Sequence, residues 1–459
     1  MVLRLGTVCT IESTGTMENS RSNHRVRGSA ACLAVVLAII AFAFYSSIHG
    51  QVRALMGIVA FILTAVAFSV NPSCIRWSFI ARGVVLQVVL AAVILKLSVG
   101  GVRPGYIVFT WLAAGVTRFL EFTSVGAVFV FGEIADPQAM ASVFPNGFVL
   151  AFAALPIIVF VSSVFTVLYH LGVIQVVVRL LAKLMMPLLG TSGAETLSAV
   201  ANVFMGQTEA PIIVRPYVPR MTQSELLALM TGGLSTIAGS MFAVYVGLGA
   251  DPVAMLTTSV MAAPCGLYLA KILVPETDIP VTLGDANVEV NSEHANIVDA
   301  AASGASNGMQ LALNVAAMLI AFLAFIAMID YLLALIRPGL SMSAVMAIFF
   351  SPVAALIGVP GADIPFIADL LGTKLVTNEM VSYVKLNGEY LGVISERGHV
   401  LATYALTGFA NLGSIGVLLG GIGGMAPGRR ADLARLSSKA LLGGFIATLI
   451  NASIAALLL

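Results

Sequence analysis

The sequence predicts an all-α polytopic membrane protein: about eight or nine transmembrane helices, two re-entrant hairpins, inverted repeats and interfacial helices. Three observations carry this prediction. Of 459 residues, 59% are hydrophobic and 10% charged, with a mean hydropathy of +1.01. A soluble chain carries about 25% charged residues, and a composition this apolar leaves too little polar skin for a soluble fold. The apolar residues also fall in continuous runs of about 20, which suits spanning helices and not the alternating strands of a barrel. Finally, two apolar segments carry polar, acid-containing centres, with flanks too short to cross alone. The net charge of +1 excludes a nucleic-acid binder driven by phosphate neutralisation. The four cysteines, Cys9, Cys32, Cys74 and Cys265, are scattered without CxxC spacing, so neither a disulfide nor a zinc framework is expected.

Residues 1–28 read as a polar cytoplasmic tail containing Arg4, Arg21, Arg25 and Arg27. The run at 30–48 follows it with the grammar of a signal peptide. It is long for one, and His49, Gln51 and Arg53 follow where small cleavage-site residues would stand, so it reads as a retained helix. Met17 offers a second start, which would leave residues 1–16 untranslated. Further runs at 54–70, 77–99, 148–170, 226–248, 252–274, 308–336, 400–425 and 436–459 make nine candidate spans. Segment 106–131 carries Arg118 and Glu121, and segment 173–189 carries Arg179 and Lys183; both read as interfacial amphipathic helices. Trp77 and Trp111 suit interface anchors.

The positive-inside rule places residues 71–76, 171–225, 275–307 and 426–435 in the cytoplasm, with Arg76, Arg179, Lys183, Arg215, Arg220, Arg429, Arg430 and Arg435. Arg53, Arg103 and Arg337 fall outside and dissent; the C-terminus also ends outside. Within the connector 275–307, Glu276, Asp278, Asp285, Glu289, Glu293 and Asp299 show no EF-hand spacing and read as solvated.

The two polar-centred segments cover 194–219 and 361–386. Each fits a hairpin that enters and leaves on one side, which lipid permits only where the backbone is buried in protein or lines a wet cavity. A span with a Gly/Ser/Asn-rich interruption follows each, at 231–240 and at 407–414. Hairpin, broken helix and final helix therefore occur twice. The chain divides into the tail 1–28, scaffold and interfacial helices 29–191, transport repeat 192–274, polar connector 275–307, scaffold helix and linker 308–360, and transport repeat 361–459. One crossing at 308–336 between the copies makes them inverted, the mark of secondary transporters that bind substrate near the midplane.

A carboxylate at membrane depth is costly unless paired or wet, so Glu209 and Glu379 stand out as functional; the structural alternative is that each caps its hairpin tip through backbone N–H groups. Gln207, Thr208, Asn378, Asn411 and Ser414 add neutral donors and acceptors. Together they suit a neutral, polyhydroxylated ligand with a planar polar face. Lys374 is the one nearby cation and reads as a scaffold residue.

These residues form recognisable motifs. Gly206-Gln207-Thr208-Glu209-Ala210-Pro211, then Gly372-Thr373-Lys374-Leu375 with Asn378-Glu379, then Gly408-Phe409-Ala410-Asn411 resemble the concentrative nucleoside transporter family, bacterial and sodium-coupled type, over roughly residues 54–459. Asp299-Ala300-Ala301, Gly304-Ala305 and Leu311-Ala312-Leu313-Asn314 also look like the family. The resemblance implies a homotrimer in the cell (inner) membrane that imports nucleosides such as uridine by cation symport, with a scaffold part and a moving transport part in each subunit. It implies that Gln207, Thr208 and Glu209 face the nucleobase, that Glu379, Asn411 and Ser414 hold the ribose, and that Phe409 packs beside the nucleoside. Met241 stands where the family commonly has a smaller valine in the base pocket. The implied sodium site comprises Asn202, Met205, Thr236 and Ile237, with Thr236 replacing a serine but keeping its hydroxyl. No other cofactor is implied. Some relatives couple to protons, which leaves H⁺ as the alternative, with Glu209 as the titrating group. The run at 30–48 is extra to the bacterial pattern.

Other features carry less. His170 and His399 sit at span ends and read as interfacial. Gly416, Gly420, Gly421, Gly423 and Gly424 read as close-packing positions rather than a phosphate loop, since no strand precedes them. An intramembrane hydrolase would need a Ser/His pair, an Asp pair or HExxH within spans, and none is present. A channel is the remaining rival, but two blocked hairpins converging on one site suit alternating access better.

Overall fold

The computed structural model describes residues 16–136, 139–140, 149–153, 155–283 and 294–459. The chain begins with α1 (Thr16–Ala43), α2 (Gly50–Ala67), α3 (Trp77–Leu95) and α4 (Pro104–Phe131). A single turn, α5 (Leu150–Ala153), precedes α6 (Leu155–His170) and α7 (Val173–Leu189), which are bent by 71° to one another. Next come α8 (Gly193–Ala201), α9 (Ala210–Ile213), α10 (Gln223–Ser235), α11 (Gly239–Gly247) and α12 (Pro252–Leu273). After α13 (Ile297–Ile336) and α14 (Met342–Ile357) come α15 (Ile364–Val376), α16 (Glu379–Asn387), α17 (Glu396–Leu406), α18 (Leu412–Met425) and α19 (Arg430–Leu458). Among the described residues, eight helices are long and apolar enough to cross a membrane, or nine with the α6–α7 pair counted as one.

Burial separates core from periphery. The broken span over α10 and α11 is 94% buried across its apolar window, whereas α13 is 6% buried and α4 11%. Apolar faces turned outward on this scale suit a lipid environment. The last helix, α19, runs through the centre and packs on α2, α10, α12 and α17. Gln87 of α3 donates to Asn451 of α19 (2.6 Å), Asn451 donates to Thr258 of α12 (3.0 Å), and Tyr268 donates back to Gln87 (2.8 Å). This buried, mutually satisfied chain of side chains pins three helices in register.

The outer pair α6 and α13 approaches closely because α13 carries Gly304 and Gly308 one turn apart. A Cβ at Gly308 would stand 2.8 Å from the Val159 Cα, and one at Gly304 would stand 2.6 Å from the Thr166 Oγ1. Ser163 donates to the Ala301 carbonyl across the same seam (2.8 Å).

Several expectations change. The first helix already includes Thr16, the first described residue, inside the stretch read as tail, because polar residues extend a helix beyond the apolar stretch that crosses lipid. Ala30, Ala34 and Ala41 form its buried seam, and the helix packs on α2 and α14. Residues 106–131, read as interfacial, lie in the unbroken 28-residue α4, one of the helices of spanning length. Its Arg118 and Glu121 pair with each other one turn apart, which softens the cost of both. Segment 173–189 does form an amphipathic helix, burying Ile174, Val178, Ala182, Met185 and Leu189 while Arg179 and Lys183 stay exposed. Arg53 is not a loop charge. It is buried in α2 and donates to the Ala355 (3.1 Å) and Val359 (2.8 Å) carbonyls at the end of α14, where a helix terminus favours a cation. Of the glycine cluster, Gly421 packs closely against Thr208, while Gly416, Gly420 and Gly424 face open space.

Cys74 is disulfide-bonded, where no disulfide framework was expected, because scattered cysteines leave no spacing signature. Arg4, Cys9, Asp285, Glu289 and Glu293 lie outside the described residues. The start of the connector is fastened rather than solvated. Lys271 bridges Glu195 (2.7 Å) and Glu276 (2.9 Å), and the Thr282 carbonyl accepts from the Gly193 amide (2.9 Å).

Candidate functional site

Both hairpins have arms too short to cross a membrane and ends closed by side-chain caps. Ser192 and Glu195 form a capping box at α8, and Asn378 accepts the Val381 amide at the start of α16 (3.0 Å). The spans behind them break for local reasons. The run ending α10 at Ser235 resumes at Gly239, with the Gly239 amide donating to Phe204 on the first hairpin (3.2 Å). The second span breaks between Leu406 and Leu412, where Asn411 caps α18 by accepting the Ser414 amide (2.8 Å). Gly408 has φ +149°, and a Cβ there would meet the Leu234 and Ser235 carbonyls at 3.2 Å. The two breaks touch at this point, for the Phe409 amide donates to the Thr236 carbonyl (3.1 Å).

Glu379 opens α16 and is buried. Its Oε1 accepts from the Tyr245 hydroxyl (2.6 Å) and its Oε2 from Asn411 Nδ2 (2.9 Å). Asn411 in turn accepts from Ser414, so Glu379, Asn411 and Ser414 form one connected set. Tyr245 stacks on Tyr383 with ring centroids 4.6 Å apart, and Tyr383 hydrogen-bonds to Thr407 (2.9 Å). Tyr245 escaped the sequence reading. The available signal was a tyrosine one turn beyond Met241 on the same face of an otherwise apolar helix.

Lys374 is fully buried. Its Nζ donates to the Ala405 carbonyl (2.9 Å) and to Thr448 (3.1 Å), and sits 5.4 Å from the Phe445 ring centre. It ties α15 to the end of α17 and to α19, in keeping with the scaffold reading.

The first hairpin tip is differently built. Glu209 Oε2 accepts the Gly206 amide (3.1 Å), so this acid does close its own tip. The Gln207 Oε1 is buried with no protein partner, and the Gln207 side chain packs on Gly233. Thr208 packs on Gly421 of α18, the helix that carries Ser414. Met241 is buried in the first turns of α11, and Phe409 is 9% exposed at the second break.

Asn202 and Thr236 converge on Gly232. A Cβ on Gly232 would lie 3.0 Å from Asn202 Nδ2, and the Thr236 hydroxyl donates to the Gly232 carbonyl (3.1 Å). Asn202 Nδ2 donates to Ser198 (2.9 Å), while its Oδ1 is buried without a protein partner. Met205 and Ile237 are buried on either side, at the hairpin tip and the helix break. A buried orphan acceptor beside a helix break is the chemistry of a small hard cation held by neutral oxygens. Among the described residues, no group of three or more His, Cys, Asp or Glu could hold a metal ion.

Three family profiles match the chain: Na⁺-dependent nucleoside transporter N-terminus over 56–134, nucleoside recognition (gate) over 151–252, and Na⁺-dependent nucleoside transporter C-terminus over 254–456. An uncharacterized transporter of Haemophilus influenzae is 42% identical over 416 residues, covering 88% of this chain and 96% of that one. The sodium/nucleoside cotransporter 1 of Mus musculus is 39% identical over 436 residues, covering 89% of this chain, which spans 64% of that longer protein. Among solved structures, the inward-facing substrate-bound state of CNTnw matches with a TM-score of 0.84 at 40% identity, covering 89% of this chain and 98% of that one. An outward-facing state of a substituted CNTnw matches at 0.84 and 39%, with the same coverages.

Proposed function

We propose that this chain, which belongs to the Na⁺-dependent nucleoside transporter family, imports nucleosides such as uridine across the cell (inner) membrane by sodium symport. It is a multi-pass membrane transporter and not an enzyme. The observation that carries the proposal is Glu379, a buried carboxylate held by Tyr245 and Asn411 where the second hairpin meets both helix breaks.

An ionised carboxylate has about four acceptor positions. Two are taken by Tyr245 and Asn411. The remaining lone pairs suit a pair of ribose hydroxyls, with Asn411 and Ser414 orienting them and Phe409 packing beside the sugar. Gln207, Thr208 and Glu209 read the base edge, the orphan Gln207 Oε1 supplying an acceptor for an exocyclic amine. Met241 limits pocket width. Sodium takes the side chains of Asn202 and Thr236 with the carbonyls of Met205 and Ile237. Coupling has a short route here, because the Thr236 carbonyl accepts the Phe409 amide: ordering the first break orders the second. The outward- and inward-facing states known for CNTnw make alternating access the mode of movement. The exposed apolar faces of α4 and α13 suit lipid and the neighbouring subunits of a homotrimer. Proton symport is the second reading, with Glu209 as the proton carrier in the first hairpin.

Radiolabelled uridine uptake into proteoliposomes tests the proposal. Accumulation against the uridine gradient is expected with an imposed inward Na⁺ gradient. Equilibration without accumulation would indicate a channel, and accumulation driven by a pH gradient with choline in place of Na⁺ would indicate proton symport.

Met241→Val is expected to widen the base pocket and to shift the purine-to-pyrimidine uptake ratio by about fivefold, since a methylene-scale change in a pocket is worth roughly 1 kcal/mol. Asn411→Ala, on the ribose side, should depress all nucleosides alike. Competition with uridine, cytidine, adenosine and guanosine on both variants checks this. An unchanged ratio in Met241→Val beside a changed one in Asn411→Ala would reverse the assignment.

A further inference from the structure

A second polar site lies where α1 and α19 pass the C-terminal end of α2. Arg27 stands just before the apolar part of α1, Phe68 to Val70 follow the end of α2, and Lys439 stands just before the apolar part of α19. All three are boundaries between polar and apolar chain, so they mark one membrane surface. The positive-inside reading places the tail 1–28, which holds Arg27, and the adjoining stretches 71–76 and 426–435 on the cytoplasmic side. Between them is an open pocket of about 380 Å³ lined by Arg27, Ala67, Phe68, Ser69, Val70 and Lys439.

The lining holds two cations and, among the described residues, neither forms an ion pair with an acid. Arg27 donates to the Val70 carbonyl and Lys439 to the Phe68 carbonyl (3.2 Å). These bonds close the end of α2, as cations near a helix C-terminus do. They leave donors over. The Arg27 Nε is buried without a partner. Ser69 is 2% exposed, and its Oγ likewise has no partner. A helix cap does not need a buried, unsatisfied hydroxyl lining the same opening as two like charges. A tetrahedral anion does: it separates the cations and accepts from the guanidinium, the ammonium and the hydroxyl together.

We propose that this pocket binds the phosphate of an anionic phospholipid from the cytoplasmic leaflet. A lipid is favoured over a free anion because the site sits at the depth where apolar helix gives way to polar chain. There a headgroup phosphate is held at high local concentration, and its acyl chains can lie along α1, whose outward residues Leu33, Val36, Ile39 and Ile40 are exposed. Bound so, the lipid would bridge α1, the helix extra to the bacterial pattern, to α2 and α19.

The test uses the purified full-length protein in detergent, with dioleoyl phosphatidylglycerol titrated under native mass spectrometry. Phosphatidylcholine is the zwitterionic control and inorganic phosphate the competitor. The expected result is one saturable phosphatidylglycerol adduct per chain, bound at least about tenfold more tightly than phosphatidylcholine and not displaced by millimolar phosphate. Arg27→Gln combined with Lys439→Gln should weaken it by about 25-fold, each interfacial cation being worth roughly fivefold. Retained uridine binding by the double variant shows that it is folded. Equal binding of the two lipids, displacement by inorganic phosphate, or unchanged affinity in the folded double variant would each overturn the proposal. The comparison of lipids on the unsubstituted protein stands even where the double variant does not fold.

Discussion

Replacing Glu379 by Gln is expected to weaken binding of ribonucleosides by about 10- to 100-fold while leaving 3′-deoxynucleosides much less affected. Hydrogen bonds to a charged acceptor contribute roughly 1.5–3 kcal/mol, and 1.4 kcal/mol is about a tenfold change in affinity. The difference between ligands is what identifies the role. A ligand without its 3′-hydroxyl does not use the carboxylate fully and so has less to lose. The substitution also turns one acceptor oxygen into an NH₂ group, which then faces either Tyr245 or Asn411, both of which donate to Glu379. Calorimetry on the purified variant separates the outcomes. Equal losses for uridine and 3′-deoxyuridine would show that Glu379 shapes the second hairpin without touching ribose. Tyr245→Phe offers an internal comparison: it removes one donor and keeps the charge, so it should weaken ribonucleosides by a smaller factor than Glu379→Gln.

Asn202→Ala should raise the Na⁺ concentration needed for half-maximal uridine uptake by at least about tenfold, the usual scale for losing one properly placed oxygen ligand or its support. Thr236→Val removes the second side-chain oxygen, and its effect should be similar. Binding linkage adds a readout that a merely structural role would not move. If sodium raises nucleoside affinity by some factor, nucleoside must raise sodium affinity by the same factor. In the unsubstituted protein, uridine should bind more tightly in Na⁺ than in choline; in Asn202→Ala that difference should shrink towards zero while the choline affinity holds. Uptake indifferent to choline replacement and driven instead by a pH gradient would refute the sodium assignment and return the coupling role to a protonated acid.

The sequence alone determined the class and the parts. Hydropathy over this length requires a membrane, because solvent contact decides which composition survives, and that constraint acts on every residue. The two hairpins were legible for a related reason: an acid and a cluster of hydrogen-bonding residues in an otherwise apolar segment are too costly to sit against lipid. Helix breaks announced themselves through Gly, Ser and Asn near Ser235 and Asn411. What stayed hidden was pairing. Nothing local in the chain says that Tyr245 reaches Glu379, 134 residues away, or that Phe409 donates to Thr236. Arg53 looked like a dissenting loop charge until the end of α14 supplied its acceptors, and Glu276 looked solvated until Lys271 was beside it. Segment 106–131 seemed too polar to cross because the pairing of Arg118 with Glu121 cannot be read from composition. Composition and periodicity report the average surroundings of a residue. Hydrogen-bond partners depend on where distant helices cross, and only the tertiary structure decides that.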